Sequence, residues 1–347
     1  MTLRYALLLA IPASATTAWF DAPPLLTFLL ACVAVLPLAS LMGEATEHLA
    51  VRTGPTMGGF LNASFGNAAE LIIAIVALRA GLVTLVKASI TGSIISNLLL
   101  ILGISLIAGG TKQQTLTFNR TAVSMSAGML ALAVVGLVFP AMFHSLHPVG
   151  REGTEFLMAE GVALILLATY AASLLFSLKT HRRLFGGEPH PTDAEPWPVR
   201  IAMGVLAVAT VGVALESEIL VHAVEGVTRT LGWSETFLGL IIIPFIGNAA
   251  EHATAVVVAR KGQTDLALQI SLGSSTQVAL LIAPLLVFIG IAVGHPITLA
   301  FSAFEVMAVA LATVVVSIAV QDGESNWFEG VQLLAVYLMV AIAAFFV

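Results

Sequence analysis

The chain has 347 residues, 59% of them hydrophobic and 10% charged, with a formal net charge of −6 and a mean hydropathy of +1.02. Soluble domains carry roughly 25% charged residues, so the composition excludes a soluble globular protein, and the lack of any basic patch excludes nucleic acid as a partner. The lone Cys32 has no second cysteine to pair with and reads as an apolar filler of its helix.

A helix needs about 20 apolar residues to cross hydrocarbon. Eleven runs meet that need, at 3–20, 23–43, 57–79, 82–109, 119–142, 154–179, 199–224, 234–259, 264–291, 297–320 and 327–347. Stretches such as VALILLATYAASLLFSL are apolar on every face, unlike the roughly ten-residue alternating segments of a barrel. The predicted fold class is an all-α polytopic membrane protein with eleven transmembrane helices embedded in the lipid bilayer.

The first run, MTLRYALLLAIPASATTAWF, carries Arg4, an apolar stretch and an ASA tripeptide, the features of a cleavable signal peptide or of a retained first span. Retention is the expectation, because polytopic proteins usually insert through an uncleaved first helix. With the N-terminus in the cytoplasm, the cytoplasmic ends collect Arg52, Lys112, Arg120, Lys179, Arg260 and Lys261 among others, and the far side only Arg79, Lys87, Arg151 and Arg229. That bias predicts an N-terminus inside and a C-terminus outside.

The longest polar stretch, KTHRRLFGGEPHPTDAEPWPVR, reads as a cytoplasmic linker, and its two sides are related. GNAAE stands at 66–70 and again at 247–251; at the same offset of 181, Gly92-Ser93 matches Gly273-Ser274, and Glu44 falls opposite Glu225. The expected organisation is a first helix at 1–22, repeat 1 at 23–179 (spans two to six), the linker at 180–198, and repeat 2 at 199–347 (spans seven to eleven). Corresponding helices are five spans apart, and an odd number inverts the second copy. Inverted repeats with Gly- or Pro-interrupted helices at matching positions are a transporter architecture that binds ions near the midplane, where the repeats meet.

A carboxylate at a helix centre costs about 2.5–3.5 kcal/mol on insertion scales and is a functional candidate by default. Glu70 and Glu251 lie well inside their spans, each with an Asn three residues earlier, Asn67 and Asn248, on the same helical face. Symmetry would bring the two sets face to face. Carboxylate and amide oxygens of this kind suit Ca²⁺, whereas zinc or copper would want Cys or more His. Ser93, Ser96 and Asn97 in span four, with Ser274 and Gln277 in span nine, would complete the shell or line the path, or else merely pack and hydrogen-bond between helices. A paired-carboxylate site is neutral with two protons or with one divalent cation, and that is the logic of cation/proton antiport. His252 reads as an orienting hydrogen-bonder or a proton relay. Glu44, Glu47 and Glu225 read as vestibule acids or as solvated helix ends. Glu160, Glu216, Glu218 and Glu305 have no duplicated partner and are expected at the interfaces.

These motifs carry a family resemblance. GEATEHLA, FGNAAELI, SITGSIISNLLLILG, LKTHRRLF, GLIIIPFIGNAAEHATAV, QISLGSSTQVAL and DGESNWFEGVQLLAVYLMVA resemble the calcium/proton exchanger (CAX) family of the cation/Ca²⁺ exchanger superfamily, from about residue 25 onward. The resemblance implies a first helix outside a 5+5 repeat and Ca²⁺ moved against proton flow. By matching position it implies Glu70 and Glu251 as the ion-binding and protonating carboxylates. It places Asn67, Asn248, Ser93, Ser96, Asn97, Ser274, Gln277 and Gln269 on the site-forming helices and His252 beside the site. The acidic run that some relatives carry between their halves is reduced here to Glu188, Asp193 and Glu195, and no long inhibitory N-terminal extension is expected.

The predicted function is a secondary-active Ca²⁺/H⁺ antiporter working by alternating access, with Ca²⁺ and H⁺ as transported ions and no cofactor. The alternative is Na⁺(K⁺)/Ca²⁺ or other cation/H⁺ exchange on the same fold. An intramembrane enzyme would need a zinc motif such as H-E-x-x-H or paired catalytic Asp residues, and neither occurs; a passive cation channel stays open as a rival. The expected location is a prokaryotic plasma membrane, with an organellar membrane as the alternative. Homo-oligomerisation is left open.

Overall fold

A computed structural model describes residues 6–53, 55–146, 152–181 and 196–347. Arg4, Arg151 and the linker acids Glu188, Asp193 and Glu195 lie outside them. The described chain is almost entirely helical, because backbone polar groups in hydrocarbon must be satisfied within the segment. In order the helices are α1 (Ala10–Trp19), α2 (Pro24–Thr53), α3 (Pro55–Phe65), α4 (Ala68–Arg79), α5 (Val83–Gly110), α6 (Arg120–Leu146), α7 (Gly153–Thr180), α8 (Val199–Leu231), α9 (Glu235–Gly247), α10 (Ala249–Arg260), α11 (Thr264–Val293), α12 (Ala303–Ala319) and α13 (Trp327–Phe346). Two short strands, β1 (Leu116–Thr117) and β2 (Glu324–Ser325), pair antiparallel with Leu116 opposite Ser325.

Among the described residues, seven helices are long and apolar enough to span a membrane, and the bent pair α9–α10 would make an eighth. The sequence expectation was eleven. The difference lies in three runs: the one at 3–20 begins outside the described residues, the one at 57–79 is interrupted between Phe65 and Ala68, and the one at 297–320 is not helical before Ala303. At Ser302 a capping box starts α12: the Ser302 hydroxyl accepts from Glu305 N at 3.2 Å, and Glu305 Oε2 accepts from Ser302 N at 2.9 Å.

The chain falls into two units, each drawing on both sides of the linker. The first comprises residues 1–82, 172–235 and 245–250. Here α2 and α8 pack along each other through Leu38, Ala39 and Met42 on one side and Ala209 and Val213 on the other, with Ala68 and Ala69 of α4 joining the cluster. Small residues at this seam let the backbones approach. Trp197 stacks on His48 with ring centroids 4.3 Å apart, and Arg52 Nη2 donates to the Pro196 carbonyl at 2.6 Å, which pins the end of the linker to the end of α2.

α1 packs on α2 and α8 and covers a carboxylate. The Ser14 hydroxyl donates to Glu216 Oε2 at 2.6 Å; Ser14 is fully buried and Glu216 only 2% exposed. Glu216, expected at an interface, is thus covered by a helix 202 residues away in sequence. Ser14→Ala should lower thermal stability in detergent by about 0.6–2 kcal/mol, the range for interhelical hydrogen bonds in membranes. A melting temperature equal to that of the parent would show that the bond contributes nothing.

The second unit comprises residues 83–171, 236–244 and 251–347. α5 and the first turns of α9 meet at glycines: a methyl group added to Gly92 would overlap the Leu240 backbone, and one added to Gly239 would lie 2.7 Å from both Ala88 Cβ and the Leu85 carbonyl. Gly103 of α5 meets Gly330 of α13 in the same way, its added Cβ 2.9 Å from the Gly330 carbonyl. Glu305, also expected at an interface, is 5% exposed and accepts from Thr91 at 3.2 Å and from Ser302 Oγ at 2.7 Å. Nearby Lys87 donates to the Ala300 carbonyl at 2.7 Å. The extended segment before α12 folds back on α5 and supplies these partners, which hydropathy alone does not reveal. Of the other two acids without a duplicated partner, Glu160 is half-buried and Glu218 exposed.

Candidate ion-binding site

Both GNAAE motifs break a helix at the same place. α4 runs from residue 68 to 79 and α10 from 249 to 260, so both of their ends repeat at the 181-residue offset. Asn67 leaves helical geometry (φ −102°, ψ 25°), and across Asn248 the axes of α9 and α10 turn by 60°. Each break puts its Glu in the first turn of a new helix, where the unpaired backbone N–H groups and the helix dipole favour a negative charge. The sequence thereby lowers the cost of a carboxylate in an apolar span.

In the first unit, Asn67, Glu70 and Asn248 are all buried, at 2%, 5% and 1% exposure. A Cβ added to Gly247 would lie 3.0 Å from Glu70 Cγ. The glycine of the second motif is thus the surface on which the carboxylate of the first one rests. Gly247→Ala should shift Glu70 and weaken cation binding by roughly tenfold, about 1.4 kcal/mol; calorimetric Ca²⁺ titration would check this, and an unchanged Kd would show that Glu70 has room to move.

In the second unit, Ser93, Ser96 and Asn97 of α5 are buried, as are His252 of α10 and Ser274 of α11. Asn97 Nδ2 donates to Ser274 Oγ at 3.0 Å, His252 Nε2 lies 3.2 Å from Asn97 Oδ1, and the Ser274 hydroxyl hydrogen-bonds Glu251. Glu251 Oε2 is out of solvent reach with no hydrogen-bond partner. Asn97 lies on a π-helical turn at Ser96–Ile101, and α11 has its own at Val278–Ile282, just after Ser274 and Gln277. Such widened turns recur at functional sites because they re-aim side chains. α5 and α11 cross at counterpart residues: Ser275 Oγ donates to the Ile94 carbonyl at 3.4 Å, 181 residues away.

The remaining predicted residues are less buried. Gln277 is half-buried, and Gln269, two turns earlier on α11, is exposed. Glu44 is half-buried and Glu47 exposed on α2, and exposed Glu225 pairs with Arg229 four residues on. Cys32 is buried at 5% exposure. Among the described residues no three His, Cys, Asp or Glu side chains are grouped as a metal centre. The oxygens available to a hard cation are carboxylate, amide and hydroxyl: Glu70, Asn67 and Asn248 in one unit, Glu251, Ser274 and Asn97 in the other.

Comparison with known proteins shows the family. A family model described as sodium/calcium exchanger protein matches residues 23–179 and again 201–346. The chain is 42% identical to a Ca²⁺/H⁺ antiporter of Aphanothece halophytica, over 99% of this chain and 96% of that protein. It is 40% identical to the Ca²⁺/H⁺ antiporter ChaA of Bacillus subtilis, over 96% of each. The crystal structure of the Ca²⁺/H⁺ antiporter protein YfkE superimposes with a TM-score of 0.85 at 36% identity, covering 100% of both chains.

Proposed function

The chain belongs to the sodium/calcium exchanger protein family, and we propose that it is a secondary-active Ca²⁺/H⁺ antiporter, an integral membrane transporter and not an enzyme. One observation carries this reading: two matched helix breaks that each deliver a carboxylate to the first turn of a membrane helix, three residues after an asparagine. We assign Glu70 and Glu251 as the groups that hold Ca²⁺ and release protons, with Asn67 and Asn248 as further oxygen donors. His252, Ser93, Ser96, Asn97, Ser274 and Gln277 line the path or orient these ligands. Such a site reaches neutrality with a divalent cation or with protons, and the empty, doubly charged form is costly in a low-dielectric span. That cost is what couples the two fluxes.

We further propose that the chain consists of a first helix and two inverted copies, 23–179 and 199–347, joined by a cytoplasmic linker, with the N-terminus inside and the C-terminus outside. The double match of one family model and the counterpart crossing at Ile94 and Ser275 support this. Its membrane is assigned as the prokaryotic plasma membrane, on the Lys/Arg bias and the bacterial relatives.

Reconstituted vesicles test the coupling. An imposed pH gradient should drive Ca²⁺ uptake with no sodium present, and a sodium gradient at equal pH should not. Uptake that follows sodium and ignores pH would replace this reading with sodium/calcium exchange; flux only down the Ca²⁺ gradient would make the protein a channel. Glu188→Gln in the linker should leave uptake within about twofold, as surface changes away from packed features usually stay within 0.5 kcal/mol. A large loss there would give the linker a part in transport.

A further inference from the structure

Beside Glu251, buried side chains form a chain of hydrogen bonds. An amide oxygen only accepts and an amide nitrogen only donates. Asn97 Oδ1 therefore takes a hydrogen from His252 Nε2 at 3.2 Å, and Asn97 Nδ2–H fills a lone pair of Ser274 Oγ at 3.0 Å. With that lone pair occupied, the Ser274 hydroxyl turns its own hydrogen toward the Glu251 carboxylate. Asn97, Ser274 and His252 are 1%, 5% and 6% exposed, so water does not compete for these bonds. The π-helical turn that begins at Ser96 sets the direction of the amide.

The repeat does not supply this chain twice. At the 181-residue offset, Ser274 has the counterpart Ser93, but Asn97 falls opposite Val278 and His252 opposite Leu71. Apolar side chains replace both the amide and the imidazole. In the other unit, a Cβ added to Gly247 would lie 3.0 Å from Glu70 Cγ.

We propose that Asn97 is a positioning residue which acts through the Ser274 hydroxyl to hold the Glu251 carboxylate in one orientation for the cation. This rests on the assignment of Glu251 as a Ca²⁺ ligand. A carboxylate held by one fixed donor keeps its second oxygen, Oε2, available to an arriving ion. Removing Asn97 frees the hydroxyl to rotate and the carboxylate to follow it.

The test is a double-mutant cycle on the full chain in proteoliposomes, reading the KM for Ca²⁺ and the maximal rate of uptake driven by a pH gradient. Loss of one hydrogen bond to a charged group shifts binding by roughly tenfold or more. Asn97→Ala and Ser274→Ala should each raise KM by about that factor, with a smaller effect on the maximal rate. The double variant should be no worse than the more impaired single one, since both remove the same bond. Ser274→Thr, which keeps the hydroxyl, should stay close to the parent. If Asn97→Ala is not recovered folded, Asn97→Leu, close in volume and without a donor, should show the same KM shift. The proposal is overturned if the two single effects multiply in the double variant, if Ser274→Thr is as impaired as Ser274→Ala, or if the Asn97 variant has the parent's KM. Failure of the underlying assignment looks different: Glu251→Gln would then transport as the parent does, whatever the cycle shows.

Discussion

Glu251→Gln and Glu70→Gln are each expected to cut proton-driven Ca²⁺ uptake by at least about a hundredfold, the loss of roughly 2.7 kcal/mol or more of interaction with the cation. The amide keeps the shape of the side chain and one oxygen donor, but it carries no charge and exchanges no proton under these conditions. Both properties are needed at once, because the proposed cycle alternates between a cation held by charge and a proton that cancels it. Glu70 is 5% exposed, and Glu251 Oε2 is out of solvent reach, so water is poorly placed to replace the lost ligand. The two variants should remain folded, since a neutral amide costs less than a carboxylate in an apolar span. Uptake measured in vesicles with an imposed pH gradient, alongside Ca²⁺ binding by calorimetry, separates the two losses. Proton-driven flux retained in either variant would remove that residue from the site.

Gly92→Val should prevent recovery of folded protein, an effect of about 3 kcal/mol or more. A side chain there meets main chain rather than a flexible tip: even one Cβ overlaps the Leu240 backbone. Relief would require α5 to separate from α9, and both helices carry the π-helical turns on which the second unit is built. Gly128→Ala on α6 is the matched control, because nothing lies within 4 Å of a Cβ there and Ala is the better helix former by about 1 kcal/mol. Size-exclusion profiles and melting temperatures in detergent check both. A monodisperse Gly92→Val protein with the parent's melting temperature would show that the α5–α9 seam yields more easily than its geometry allows.

Much of this molecule is legible in one dimension because its signals are local. An apolar run can be counted as a span, and a carboxylate inside one is conspicuous. GNAAE marks the breaks: Gly and Asn weaken the helix, and a new helix starts at Ala68 and again at Ala249 with the Glu in its first turn. The 181-residue offset then reappears in the structure as two helices with matching ends and as the crossing of Ile94 with Ser275. Span counting did less well where chemistry interrupts hydropathy: the run from 57 to 79 hides the Asn67 break, and the run from 297 to 320 hides the capped start of α12.

Burial of single charges was not legible. Glu216 and Glu305 sit in runs whose hydropathy fits an interface as well as an interior, and each is buried by a partner distant in sequence. Ser14 stands 202 residues from Glu216, and Thr91 stands 214 from Glu305. Asn97 was visible as a polar residue near the site, yet its bond to Ser274, 177 residues away, was not. The duplication even misleads here, since the counterpart positions Val278 and Leu71 give no hint of the chain that serves Glu251.

By itself, then, the amino-acid order determined the membrane class and the helical character, and it marked the repeated GNAAE at which helices break, because hydropathy, helix breaking and charge cost are properties of a residue and its near neighbours. Only the tertiary structure decided which buried polar groups bond one another and where glycines let backbones touch. Those outcomes depend on helix rotation and crossing, and a turn of a third of a helical repeat replaces one set of partners with another while leaving the hydropathy of every span unchanged.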